Sequence, residues 1–337
     1  MATVIGNLSP AAGGSPIFID ASTIQSLLPY RSLINHLQTS LPSATSAIQS
    51  PIRHSHQTSS SSTLLLMPAW FLSSPTLPYI GVKLVTTHPN NSSLNLPGVN
   101  ASYVLFNSVT GQTLASMDGT ELTVRRTACV SAVASHYLSN KRSKILLMVG
   151  AGSLAPHLIK AHLTTRPSIN HVMIWNRTFR KSQTLIDELK NETGMEALRI
   201  EVCEDIESAV AVADVVSCAT NSDTPLVLGK WLKAGAHLDL VGSYKPSMRE
   251  CDDEAVKRGR VFVDNEAAVV EAGELVGALE RGVMKKDEIE GDLVELIKGG
   301  KIGRKDEKEV TVFVSVGSAV VDLLSAQLAY ETVITKA

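Results

Sequence analysis

Apolar and polar positions along the chain fall into two rhythms. Runs at Thr63–Trp70, Tyr79–Thr87, Ala101–Asn107 and Gln112–Met117 are separated by Pro, Asn and Gly, a pattern that predicts consecutive strands joined by short turns. Ahead of them, Ile17–Asp20 predicts a short strand. Apolar positions at Ile24, Leu27, Leu28, Leu33, Ile34 and Leu37 predict a helix over Ala21–Leu41. The Ser-rich stretch Ser55–Ser62 predicts a mobile surface loop.

After Asp118-Gly119 the rhythm changes. A helix over Thr120–Leu138 leads into alternating elements: strands Ile145–Val149, His171–Trp175, Arg199–Glu204, Val215–Thr220, His237–Ser243 and Arg260–Asp264, with helices Thr178–Lys190, Ile206–Val212 and Met248–Arg258 among them. Helical segments follow at Ala267–Arg281 and Asp287–Lys298, then a strand at Val310–Val316 and an amphipathic helix at Ser318–Ile334. Alternation of this kind predicts a parallel sheet covered on both faces. The expected class is α/β, a Rossmann-type doubly wound parallel sheet plus an α+β domain with a mainly antiparallel sheet. At 337 residues two domains are the natural expectation.

The first strand of the alternating part ends in Gly150-Ala151-Gly152 and runs into a helix with Ala155 at the third small position. A glycine turn alone is compatible with a purely structural role; strand before and helix after favour a dinucleotide cradle. Gly150 allows the turn, Gly152 lets backbone approach a pyrophosphate, and Ser153 and Leu154 stand at the helix N-terminus that receives it. The second strand ends on Asn176, Arg177 and Thr178, with Arg180 and Lys181 beyond, where an NAD site wants an acid for the ribose. A guanidinium and hydrogen-bonding side chains suit a 2′-phosphate, so NADPH is expected over NADH. Ala219, Thr220, Asn221, Ser243 and Val316 with Gly317 end later strands and are expected around the same cofactor, or are ordinary turns.

Composition adds exclusions. With 44% apolar and 19% charged residues and a net charge of -2, neither nucleic acid nor a membrane is expected as partner. Four separated cysteines form no CxxC pair, and the nine histidines show no metal-site spacing, so no metal is expected. His157, in the helix after the glycine turn, is expected to pack or cap. The N-terminus lacks the features of a secretory signal and is a poor transit peptide by composition.

Three cations before residue 127 stand out. Lys83 lies in an apolar strand, opposite in phase to Ile80, Val82 and Leu84. Arg53 follows Pro51-Ile52, and Arg126 with Thr127 opens the helix feeding the cofactor domain. Singly each reads as a surface charge; together they would grip a carboxylate.

Pro51-Ile52-Arg53, Leu66-Met67-Pro68-Ala69, Gly81-Val82-Lys83, Met117-Asp118-Gly119, Arg126-Thr127-Ala128, Gly150-Ala151-Gly152, Trp175-Asn176-Arg177-Thr178, Val241-Gly242-Ser243 and Thr311-Val312-Phe313 through Gly317 resemble, in order, the ornithine cyclodeaminase/mu-crystallin family. The resemblance spans nearly the whole chain. In the Ser-rich insert and the run Tyr244 to Asp253 it looks most like a plant reductase of the cyclic ketimine derived from lysine. It implies a substrate-binding and dimerisation domain of residues 1–121 with 318–337, an NADP-binding domain of residues 122–317, and a homodimer. Arg53, Lys83 and Arg126 would be the catalytic residues that hold the substrate carboxylate, with Met67 and Gly317 also lining the pocket. Thr127, Asn176, Arg177, Thr178 and Lys181 would serve NADPH. The implied reaction is reduction of Δ1-piperideine-2-carboxylate or its 2,3-dehydropipecolate tautomer to pipecolate, in lysine catabolism and plant systemic immunity, in a plastid or alternatively the cytoplasm.

Two departures qualify this. Cyclodeaminases carry an aspartate where Tyr244 stands, which disfavours ammonia-eliminating chemistry, and a basic residue of the family pattern is Val314 here. The rival readings are a shikimate- or alanine-dehydrogenase-like oxidoreductase, which the strand-rich N-terminal part with Arg53 and Lys83 argues against, and a non-catalytic, NADPH-gated small-ligand binder of the mu-crystallin type.

Overall fold

The computed structural model describes residues 15–72, 79–94 and 96–336. Residues 1–14, on which the leader reading largely rests, lie outside the described residues. The chain opens with β1 (Ile17–Ile19), α1 (Ala21–Leu27) and α2 (Tyr30–Ala47). The single helix expected over Ala21–Leu41 is broken at Pro29, which lacks an N–H and serves as the N-cap of α2.

Next come β2 (Ile48–Gln49), β3 (His54–Gln57), β4 (Thr63–Phe71), β5 (Tyr79–Thr87), β6 (Val99–Asn107) and β7 (Thr113–Asp118). They form one sheet in the order β1-β7-β6-β5-β4-β2, with β3 also on β4. Every pairing is antiparallel except β1 with β7. The Ser-rich insert is therefore not simply a loop. His54 to Gln57 pair with Leu66 to Thr63, and only residues 58–62 make the turn. An exposed strand of His, Ser and Gln carries no apolar alternation, which hid it.

Register places Ile19, Met117, Tyr103, Lys83 and Met67 in one row across this sheet, all buried. Lys83 thus points to the covered face, among the buried core residues Met67, Tyr103 and Met117, while Ile80, Val82 and Leu84 lie on the face that this chain leaves partly open. The outer face is apolar too.

α3 (Gly119–Leu138) is capped by the Asp118 side chain, which accepts from the Glu121 N–H at 2.8 Å. The division expected between residues 121 and 122 falls inside this helix. There follow β8 (Ile145–Val149), α4 (Ala155–Thr165), β9 (His171–Trp175), α5 (Phe179–Lys190), β10 (Arg199–Val202), α6 (Ile206–Val212), β11 (Val215–Cys218), β12 (His237–Leu240), α7 (Asp253–Arg258) and β13 (Arg260–Val263). The run continues through α8 (Ala268–Glu271), α9 (Gly273–Glu280), β14 (Gly291–Asp292), α10 (Leu293–Lys298) and β15 (Thr311–Val314) to α11 (Ala319–Lys336).

The second sheet is wholly parallel, in the order β10-β9-β8-β11-β12-β15-β13-β14. Three expected helices are shorter or divided. Asp252 caps α7 and delays its start, Ala272 in extended conformation separates α8 from α9, and residues 287–298 hold β14 before α10. At that last site Asp292 and Glu295 form a reciprocal cap.

α11 is buried continuously from Val321 to Gln327 rather than along one stripe, because it is packed against β5, β4, α2 and α3. The last helix so returns to the first sheet, and its Asp322 meets Lys83.

Candidate active site

Strand order reverses at β8, whose neighbours are β9 on one side and β11 on the other. In an open α/β sheet ligands bind beyond the carboxyl ends of strands at such a point. Gly150, at the end of β8, has φ +108°, and a Cβ there would stand 2.5 Å from the Ala219 carbonyl oxygen. Nothing lies within 4 Å of a Cβ built at Gly152, so the backbone there faces open space. Among the described residues nothing accepts from the N–H groups of Gly152, Ser153 or Leu154 ahead of α4. Unpaired donors around an open glycine elbow fit an anionic pyrophosphate.

A cleft of about 240 Å³ runs from this elbow along Asn176, Arg177, Thr178 and Lys181 to Thr220 and Asn221. Asn176 is fixed by the Ala151 N–H, which donates to its Oδ1 at 3.2 Å, and by its own donation to the Thr178 carbonyl at 3.0 Å. Arg177 and Lys181 are exposed and form no ion pair among the described residues.

A second cleft, of about 350 Å³, continues between the lobes. It is lined by Arg53, Arg126, Thr127, Ser153, Leu154, Ala219, Thr220, Asn221, Tyr244, Val316 and Gly317, with Val85, Val99, Ala101 and Val124 as an apolar wall. The two clefts share Gly152 and the residues 219–221. Ser243 is not on the wall. Its hydroxyl is turned inward, donating to the Met248 carbonyl and accepting from the Gly273 N–H, both at 3.0 Å.

The three cations converge in part. Lys83 Nζ and Arg126 Nε each lie 2.8 Å from a different oxygen of Asp322, all three side chains being almost wholly buried. At this range the two cations offset the buried Asp322 charge. Arg126 Nη1 is left without a hydrogen-bond partner. Burial, then the neighbouring Arg126 charge, pulls the Lys83 ammonium down to about 8 against the opposing pull of Asp322. Burial alone would raise the Asp322 carboxyl; Arg126 and Lys83 outweigh it and hold it below the ordinary value.

Arg53 arrives separately. Its Nη2 donates to Glu271 Oε2 at 2.6 Å and to the Val316 carbonyl at 3.2 Å. Lys83 and Met67, expected on the pocket wall, lie beneath it in this conformation, Lys83 because Asp322 holds its ammonium inside. Gly317, at φ +84°, leaves room for the Arg126 guanidinium, since a Cβ there would stand 2.8 Å from Nη1. Its loop is fastened by Asp264, whose Oδ2 accepts from Ser315 Oγ and the Val316 and Gly317 N–H groups. Burial pushes the Asp264 carboxyl up to about 6.

Asp322 and Glu271 were not singled out from the sequence. The signal for Asp322 was present: an acid within Val320-Val321-Asp322-Leu323-Leu324 is as anomalous as a lysine in an apolar strand. Glu271 carried no such signal. His157 packs as expected, its Nδ1 bonded to the Tyr30 hydroxyl at 2.9 Å.

The family model for the ornithine cyclodeaminase/mu-crystallin family matches residues 15–337. This chain belongs to that family. Over 321 residues this family member is 53% identical to Protein SAR DEFICIENT 4 of Arabidopsis thaliana, covering 95% of this chain and 98% of the relative. Among solved structures, the Δ1-pyrroline-2-carboxylate reductase of Thermococcus litoralis, in complex with NADH and L-proline, is similar with TM-score 0.89 and 29% identity over 95% of this chain and 98% of that one. An archaeal alanine dehydrogenase dimer with bound NAD is similar with TM-score 0.86 and 27% identity over 95% and 97%. The strand-rich first lobe therefore does not separate this chain from alanine dehydrogenases, contrary to the sequence-based expectation. The family member is an imine-reducing oxidoreductase of the cyclic imino acid type, and these two solved relatives bind NADH and NAD.

Proposed function

We propose that the protein reduces Δ1-piperideine-2-carboxylate, or its 2,3-dehydropipecolate tautomer, to pipecolate with NADPH. The observation that carries this is the convergence of Arg53, Lys83 and Arg126 on the inter-lobe site beside a cofactor elbow. The unpartnered Nη1 of Arg126 is a donor for the substrate carboxylate.

Bound nicotinamide supplies the hydride for the C=N carbon. The chain's own residues have to orient an acceptor that is already electrophilic. Among the described residues lining the cleft, Arg53, Arg126 and Tyr244 are the only titratable side chains; no carboxylate or imidazole stands there as a base. Oxidation of a hydroxy acid or elimination of an amine asks for such a base, whereas iminium reduction does not. Holding the carboxylate fixes the neighbouring carbon, and orientation of this kind supplies on the order of 7–11 kcal/mol in well-aligned cases.

For the cofactor, Asn176 in place of an acid, with Arg177 and Lys181 unpaired, supports NADPH over NADH. Arg177→Ala is expected to lower kcat/KM for NADPH about 10- to 100-fold, the range of a hydrogen bond to a charged group, and to leave NADH nearly unchanged. Equal losses on both cofactors would sink this assignment.

We further propose a homodimer, a plastid location and a role in plant lysine catabolism and systemic immunity; similarity to the Arabidopsis relative supports the last two. The dimer is supported by the open apolar face of the first sheet, where Pro68, Val82 and Val104 align beside Trp70, Ile80 and Phe106.

The deciding assay is NADPH oxidation with piperideine-2-carboxylate, pyrroline-2-carboxylate and pyruvate plus ammonia in parallel. Preference for the six-membered ring is expected. Preference for pyruvate and ammonia would favour the alanine dehydrogenase reading, and tight NADPH binding without turnover would favour a non-catalytic binder.

A further inference from the structure

Glu250 lies in the loop before α7 and is fully buried. It touches neither cleft wall, yet its carboxylate joins the two loops that do. Oε1 accepts from the Thr220 N–H at 2.6 Å and the Thr220 hydroxyl at 2.8 Å. Oε2 accepts from the Gly242 N–H at 2.7 Å. Thr220 and Gly242 follow β11 and β12, adjacent parallel strands in register, so one side chain bridges the carboxyl ends of both.

The bridge is itself anchored. The Glu250 N–H donates to Glu274 Oε1 at 2.6 Å, and Glu274 is also buried. Burying a carboxylate is costly unless several donors meet it. Here three donors do, and all come from the loops that bound the inter-lobe cleft. Ala219, Thr220 and Asn221 face the elbow across the crevice, while Val241, Gly242 and Tyr244 continue the wall toward Gly317.

We propose that Glu250 is a positioning residue for hydride transfer: it sets the spacing of the 219–221 and 241–244 loops, and so the pose of the nicotinamide end of the cofactor, without touching cofactor or substrate. This rests on the reading of these loops as the nicotinamide bed.

The test is Glu250→Gln in the full chain. The amide keeps one acceptor but turns an NH2 toward an N–H or O–H donor, so the two loops part. Expected are a fall in kcat of about tenfold or more, a larger primary deuterium isotope effect with 4-deuterated NADPH as hydride transfer becomes limiting, and a Kd for 2′,5′-ADP unchanged within about twofold. Unchanged kcat and isotope effect would overturn the proposal. So would a parallel loss of 2′,5′-ADP binding and melting temperature, which is the mark of a merely structural acid. Should Glu250→Gln not fold, Glu250→Asp decides, since it keeps the carboxylate but shortens its reach to Thr220 and Gly242. It is expected to lower kcat and raise the isotope effect, and no change in either overturns the inference. A wild-type protein that neither binds NADPH nor turns over would instead sink the underlying cofactor reading.

Discussion

Asp322 turns two buried cations into a pair that tolerates burial. Without it, Lys83 and Arg126 would be buried beside each other with no ion-pair partner among the described residues. Breaking a buried ion pair by removing one partner costs about 3–5 kcal/mol, so Asp322→Asn is expected to lose roughly that amount in urea unfolding at neutral pH. A variant as stable as the wild type would show that the cluster is not energetically coupled. Lys83 makes a separate prediction. Its folded pKa, about 8, lies below its ordinary value of 10.5, so the folded chain binds fewer protons than the unfolded chain between those values. Stability from this group therefore rises with pH through that window. Anion binding runs the other way: the ammonium is lost as pH rises past about 8, and kcat/KM for the imino acid is expected to fall there. Lys83→Ala should abolish that basic limb; a limb that persists would place it on another group. Lys83 was legible in the sequence because a lysine amid Val and Leu must be either an error or a partner, and Asp322 was legible by the same rule.

At the level of turns and helices, the glycine elbow and the loop after β15 do opposite things with the same residue type. Gly150 folds the backbone against Ala219, whereas Gly317 withdraws a side chain so that Arg126 can lie beside it. Gly317→Ala is expected to cost about 1 kcal/mol of stability from its left-handed backbone. It should raise KM for the imino acid well beyond that by displacing the guanidinium; steady-state kinetics beside a thermal melt separates the two, and a KM change no larger than the stability loss would refute the spatial argument. The longer strands were readable since each apolar run is bounded by turn residues, and β8 and β9 match their expected limits residue for residue. Helix ends were less readable. Pro29 was a visible breaker that apolar spacing overrode, while the gap at Ala272 has no sequence mark.

At the scale of the whole molecule, the proposed homodimer rests on the outer face of the first sheet. Its apolar residues occupy the positions that a sequence reading gives to a core, but the chain's own helices cover the opposite face, where Lys83 and Tyr103 lie. Burying such a face against a second copy fits a contiguous, partly open apolar patch. Val82→Glu is expected to give a monomer by light scattering, with NADPH binding retained; a dimer that survives it would place the interface elsewhere.

Periodicity and the glycine spacing settled the fold class, the glycine elbow and the absence of an acid at the end of β9, because those are local properties carried by neighbouring residues. The proposed grip on the substrate is of another kind. Arg53, Lys83, Arg126, Glu271 and Asp322 come from five segments spread over most of the chain, and which cation meets which anion depends on α11 returning to the first sheet and α8 reaching across the cleft. Such pairings arise from contacts between residues far apart in the chain, so only the folded structure assigns them.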